Sequence, residues 1–244
     1  MKLTTVLGSV NNNPEYYLFI PKQIVFWKRF NIRFVAVFVG DSLPIELEPY
    51  RENIYLWSRN LDLHGAFVGQ NLRIYYPALL DLPSDEMVMI TDMDMLPMND
   101  TYYTSNLEQY TQDDFIYYRH IDGNQIYMCY NAAHPKTWST VFNINSEVDI
   151  EAAIRANYNA QYNGIPGSTG WFIDQLIMYE KLFGYPHLKV LNRPIKRLEM
   201  WMYREHLRLG HTNFIRDYDD AHFHRSYVAN AQLIANAEVQ HLEH

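Results

Sequence analysis

Met87-Val88-Met89-Ile90-Thr91-Asp92-Met93-Asp94-Met95-Leu96-Pro97 is the stretch on which the reading of this chain turns. Four apolar residues in a row, Met87 to Ile90, predict a short strand buried on both faces, as in a parallel sheet covered by helices. The strand runs directly into two carboxylates separated by one residue. In extended backbone, side chains two apart point to the same side, so Asp92 and Asp94 are expected to converge on one cation. Hard anionic oxygens suit Mn²⁺ or Mg²⁺, which keep positions open for phosphate oxygens. Open α/β sheets bind ligands at the carboxyl ends of their strands, where this pair falls. The motif alone also fits two solvated aspartates in a turn; the apolar strand before it and Pro97 after it favour the cation.

Upstream, Leu3 to Val10 reads as a strand closing in the polar loop Asn11-Asn12-Asn13-Pro14. Tyr17, Ile20, Ile24, Trp27 and Phe30 recur at helical spacing, predicting a helix over 16–30 with Trp27 in the core. Phe34 to Val39 is a second doubly apolar strand, and Ile54 to Trp57 a third. A helix is expected over 70–80, before the break at Pro83-Ser84. This β-α-β-β-α-β order predicts an α/β sandwich with a nucleotide site. Downstream, strands are expected at 115–119, 125–130 and 189–191, and helices at 135–142, 147–158 and 171–183. Asp113-Asp114 reads as part of a solvated loop, and Asp219-Asp220 stays ambiguous.

The chain has 244 residues, 48% of them hydrophobic and 15% aromatic, too apolar for disorder. Its 11 Pro and 10 Gly exclude a coiled coil, and a single cysteine, Cys129, excludes a disulfide scaffold and suits a reducing compartment. A net charge of −8 disfavours binding nucleic acid. No run approaches the roughly 18 apolar residues of a membrane span, and Met1 to Gly8 is too short for a signal peptide, so a cytoplasmic location is expected. No linker divides the chain. One domain is expected over 1–241, with a nucleotide-binding half over about 1–100 and an acceptor half over about 101–241. Leu242-Glu243-His244 reads as a histidine-tag remnant, which leaves room for a longer multidomain parent.

The ordered pieces resemble the GT-A fold glycosyltransferases, and among them the family 8-like group that includes glycogenin and lipopolysaccharide galactosyltransferases. That group has an arginine-bearing helix, a Leu-Pro element, an apolar strand and then DxD; this chain has Asn71-Leu72-Arg73, Leu82-Pro83, Met87 to Ile90 and Asp92-Met93-Asp94. A strand with an Asn followed by a Trp-bearing helix is matched by Met128 to Trp138. An Asp-Gln helix start is matched by Asp174-Gln175, and a late His-Phe segment by His222-Phe223-His224. The resemblance runs from about residue 70 to 227. It departs where the family's Gly and Lys-Pro-Trp are replaced by Arg225-Ser226-Tyr227, and where Thr91 precedes the first aspartate.

The resemblance implies a single-domain GT-A (Rossmann-like) α/β/α sandwich with a mixed, mainly parallel sheet. It implies a metal-dependent transferase moving a sugar from a nucleoside-diphosphate sugar, UDP by default, to a glycan or other hydroxyl acceptor. A retaining outcome is expected. Gly8, Ser9, Val10 and Asn11 would then hold the base and ribose, with Thr91, Asp92, Met93 and Arg73 at the nucleotide. Asn131 would touch the sugar. Asp92 and Asp94 would hold the metal with an imidazole, His222 being favoured and His224 nearly equal. Asp174 would act as general base if the reaction inverts; if it retains, Asp174 and Gln175 would bind the sugar. A helix cap is the plainer reading of Asp174.

Other residues are read from their chemistry alone. Arg225, beside the histidines, could neutralise a departing diphosphate. His120 ends a strand and could touch acceptor. Trp171, Trp201, Tyr130 or Tyr203 could stack on a sugar face, although most aromatics belong to the core. Two rivals remain open. A sugar-phosphate nucleotidyltransferase normally carries a basic, glycine-rich loop after its first strand, whereas Ser9 to Asn13 has no Lys or Arg. A non-catalytic glycan-binding scaffold would bind no nucleotide with metal.

Overall fold

Alternation along the central strands sorts their side chains onto two cores. In β1 (Lys2–Asn11), Val6 and Val10 face one side and Leu7 the other. In β2 (Arg33–Val39), Phe34, Ala36 and Phe38 oppose Val35 and Val37. Both sides are buried, as the unbroken apolar runs require. The computed structural model describes residues 1–119, 121–191, 201–202, 218–223 and 227–242.

The remaining strands are β3 (Ile54–Trp57), β4 (Glu86–Ile90), β5 (Met95–Pro97), β6 (Phe115–Tyr117), β7 (Ile121–Asp122), β8 (Gln125–Ile126), β9 (Asn131–Ala133), β10 (Leu188–Val190), β11 (Trp201–Met202) and β12 (Asp220–His222). A seven-stranded sheet runs in the order β10-β6-β9-β4-β1-β2-β3. Every neighbouring pair is parallel except those made by β9, which runs against both β4 and β6. A second sheet, β11-β12-β5, sits beyond the end of β4. It pairs Met95 with His222 and Pro97 with Asp220.

The helices are α1 (Pro14–Tyr17), α2 (Ile20–Arg29), α3 (Gly65–Tyr75), α4 (Asp100–Thr104), α5 (Pro135–Phe142), α6 (Glu147–Ala156) and α7 (Ile173–Leu182), with a further helix at Ala231–Leu242. One core lies around Trp27, Phe19 and Tyr103 under α2; the other lies around Trp138, Phe67 and Leu72 under α3 and α5. Helices therefore cover both faces of the mostly parallel sheet. Among the described residues no helix is long and apolar enough to cross a membrane.

Three elements differ from expectation, each for a local reason. The helix expected over 16–30 is two pieces, because Pro21 at the start of α2 lacks the N–H that would carry α1 onward. The helix expected over 70–80 begins at Gly65, where His64 Nδ1 accepts from Ala66 N at 3.3 Å, and tightens into a 3-10 turn at Tyr76–Leu79 around Pro77. The strand expected over 125–130 is displaced: 125–126 pair with 121–122 in a hairpin, and the sheet strand is Asn131–Ala133. The Asn131 amide donates to Tyr127 O at 2.7 Å and Met128 O at 3.2 Å, turning those carbonyls out of any ladder. Asp114 is buried, not solvated, and caps its own turn by accepting from Thr111 N at 2.7 Å.

Gly69 places α3. A Cβ there would lie 3.2 Å from Asn11 N and 3.3 Å from the Val10 carbonyl carbon, so the helix crosses the end of β1 at backbone contact. One turn later on the same face is Arg73. Close approach at Gly69 thus sets the guanidinium over the end of β4.

Candidate functional site

A cavity of about 490 Å³ opens at the carboxyl ends of β1 and β4. Its size suits one small organic ligand. Ser9, Val10 and Asn11 from the end of β1 line it together with Arg73, Asp92, Met93, Asp94 and His222.

The two aspartates do not sit on extended backbone. Met95 N donates to Asp92 O at 3.3 Å, so Asp92 to Met95 form a turn, and both carboxylates face the cavity from it. Asp94 O accepts from Phe223 N at 2.8 Å, tying the turn to the end of β12. That contact brings His222 Nε2 to 3.5 Å from Asp94 Oδ1. Phe223 is fully buried.

Asp92 is drawn the other way. Its Oδ1 accepts from Arg73 Nη1, while Arg73 Nη2 donates to Asp174 Oδ2 at 2.5 Å. Burial works against the Arg73 charge, but the facing carboxylates of Asp92 and Asp174 outweigh it and hold the guanidinium above its ordinary range. Asp174 lies wholly inside, in the first turn of α7, with Oδ1 accepting from Gln175 N at 2.8 Å. Its carboxyl sits above the usual range because burial prevails over the Arg73 charge. Phe172, not Asp174, is the cap residue of α7.

The other expected residues divide. Gln175 and Trp171 line the cavity, and the Trp171 ring stacks on Tyr162 at 6.5 Å and 6°. Gly8 lies behind the wall, where a Cβ would meet Met93 Sδ at 2.6 Å; its smallness admits Met93. Thr91 and Asn131 are buried outside the lining, Asn131 spent on the 127–128 carbonyls. Tyr130 is buried and donates to Asp220 Oδ2 at 2.9 Å, so it stacks on no ligand. His120, His224, Arg225 and Tyr203, and the Trp201 side chain, lie outside the described residues.

Two structures escaped the sequence. Arg119 lines the cavity and its Nη2 donates to the buried Asp220. The Gln23 amide of α2 donates to Met93 O at 2.9 Å and Met95 O at 2.8 Å, gripping the aspartate turn from below. A glutamine one turn before Trp27, on an otherwise apolar helix face, was the available signal for the second. Cys129 also faces the cavity, its thiol pushed up to about 12 by burial.

The donor set fits a divalent ion in kind, with carboxylate oxygens and an imidazole nitrogen aimed into one cavity. Among the described residues, however, no three His, Cys, Asp or Glu side chains are gathered closely enough to hold one. Asp94 and His222 are close; Asp92 leans toward Arg73.

No protein-family model and no curated protein matches the sequence. Solved structures do match in three dimensions. The galactosyltransferase LgtC in complex with donor and acceptor sugar analogues is similar at a TM-score of 0.52 and 12% identity, over 98% of this chain and 96% of that one. A glycosyltransferase involved in glycosylation of the major capsid of PBCV-1 gives 0.51 and 11%, over 98% and 100%. The chain has the GT-A fold of glycosyltransferases. GlyE of Streptococcus pneumoniae TIGR4 shares this fold at 0.51 and 12% identity over 92% of this chain, which spans 55% of that longer protein. The lone antiparallel strand β9 beside β4 is part of the GT-A sheet described here, and Asp92 and Asp94 follow β4 at its centre.

Proposed function

We propose that the protein is a metal-dependent glycosyltransferase that moves a sugar from a nucleoside-diphosphate sugar, UDP being favoured, to a glycan or other hydroxyl acceptor. The observation that carries this is the carboxylate pair beside an imidazole at the end of β4. Asp92 and Asp94 line the cavity with His222, whose Nε2 lies 3.5 Å from Asp94 Oδ1. Among the described residues, the two guanidinium groups that line it, Arg73 and Arg119, are each paired with a buried carboxylate behind them, Asp174 and Asp220. A diphosphate brought beside Asp92 and Asp94 is repelled unless a divalent cation enters with it.

Asp94 and His222, already close, would hold the ion, with Asp92 completing the set through the oxygen that Arg73 does not engage, and the ion when bound would offset the charge developing on the phosphates. The protein's own groups do the rest. Arg73 fixes the orientation of Asp92, and Asp174 behind it keeps that guanidinium in place. Ser9, Val10 and Asn11 face the base and ribose. Gln175 and Trp171 line the side on which the sugar meets its acceptor. A retaining outcome is favoured, because Asp174, the carboxylate a base would need, is buried away from the cavity with both oxygens engaged.

The test is a panel of UDP- and GDP-sugars incubated with the protein and Mn²⁺, scored for nucleotide release. Metal-dependent turnover of at least one donor is expected. The reading is abandoned if no donor turns over and no nucleoside diphosphate binds with metal.

A further inference from the structure

We propose that Arg119 grips the terminal phosphate of the nucleotide and carries the charge that gathers there as the sugar leaves; this rests on the reading of the cavity as a nucleotide-sugar site. Among the described residues two guanidinium groups, Arg73 and Arg119, line that cavity. Arg73 is committed to bridging Asp92 and Asp174 and spends both its terminal nitrogens on protein carboxylates. Arg119 is held from behind. Its Cζ lies 5.3 Å from the Tyr130 ring centroid, its Nη2 donates to Asp220, and Tyr130 steadies the same carboxylate oxygen at 2.9 Å. That anchoring fixes the plane of the group while it lines the cavity. A guanidinium presents five donor hydrogens in a rigid fork that matches phosphate.

Placement supports the assignment. Asp220 and His222 stand two residues apart on β12 and so share one face of the strand, roughly 7 Å from each other at the rise of a strand. Arg119, docked on Asp220, therefore shares a wall with His222 and Asp94. A diphosphate reaching the carboxylate-imidazole corner is brought within range of this guanidinium.

In the transfer, the bond between the anomeric carbon and the phosphate oxygen breaks and its electron pair goes to the phosphate. The acceptor hydroxyl oxygen bonds to that carbon, and the hydroxyl proton passes to the departing phosphate oxygen. The N–H donors of Arg119 face an oxygen whose negative charge grows along this path, so the contact strengthens toward the transition state.

The experiment is calorimetry of the intact protein with Mn²⁺, comparing UDP with UMP and GDP with GMP. Wild type is expected to prefer the diphosphate. Arg119→Gln is expected to shrink that preference roughly 10- to 100-fold, the value of a charged hydrogen bond, and to leave monophosphate affinity unchanged. Because Arg119→Gln strands Asp220, the pair R119Q/D220N is measured beside it, and Arg119→Lys should restore part of the preference. An unchanged preference in the folded double variant overturns the proposal. So does equal weakening of monophosphate and diphosphate, which marks a structural role. If wild type binds none of the four nucleotides, the transferase reading falls and takes this inference with it.

Discussion

The side-chain amide of Gln23 donates to the carbonyl oxygen of Met93 at 2.9 Å, and through that bond helix α2 holds the turn bearing both aspartates. The same nitrogen donates to Met95 O at 2.8 Å, and Gln23 Oε1 accepts from the buried Trp27 indole at 2.8 Å. Gln23→Leu keeps the volume and removes all of these bonds. It should cost about 1–3 kcal/mol for each buried polar group left without a partner, read in urea unfolding. Cation-dependent UDP binding should weaken with it. Wild-type stability in Gln23→Leu would show that the turn holds its shape unaided.

Asp174 and Asp94 should fail in opposite ways. Asp174→Ala leaves the Arg73 guanidinium inside the protein with Asp92 alone, and removing one partner of a buried pair costs about 3–5 kcal/mol. Asp94→Asn relieves crowding of negative charge; unfolding should move little, while UDP binding with Mn²⁺ falls by an order of magnitude or more. Comparable stability loss in both variants would contradict this division.

Cys129 should be silent at ordinary pH. Thiols react as thiolates, and burial holds this one up to about 12 from a usual 9. Iodoacetamide at pH 8 should label the native protein far more slowly than the urea-unfolded chain. A folded pKa above the unfolded one means the contribution to stability is complete below pH 9 and drains away as pH rises toward 12. Cys129→Ala should therefore flatten part of the alkaline decline in Tm.

Gly69→Ala puts a methyl 3.2 Å from Asn11 N, so the helix or the end of β1 must give by a few tenths of an ångström. The overpacking should cost about 1–3 kcal/mol. It should also shift Arg73 away from Asp92, lowering nucleotide affinity more than Ala substitution at an exposed α3 position. Equal effects at both positions would detach Gly69 from the site.

The central strands were legible because their apolar runs leave no other fate, and β1, β2, β3 and β4 fall where those runs stand. Asp92, Asp94 and Arg73 were legible as a group because a motif and a preceding helix carry them. What stayed hidden depends on three-dimensional contact. Nothing near Arg119 marks Asp220 as its partner, and nothing near Gln23 marks the carbonyls of Met93 and Met95. The extended geometry assumed for the aspartates gave way to a turn, because β5 leaves β4 to pair with β12 in another sheet. The strand misread over 125–130 gave way to the appetite of Asn131 for the carbonyls before it.

The pairing of β5 with β12 also bears on how the protein is made. A ribosome releases Asp94 well before it has translated His222. The corner where these two side chains meet can therefore close only after translation has passed Phe223, whose backbone N–H ties it to Asp94.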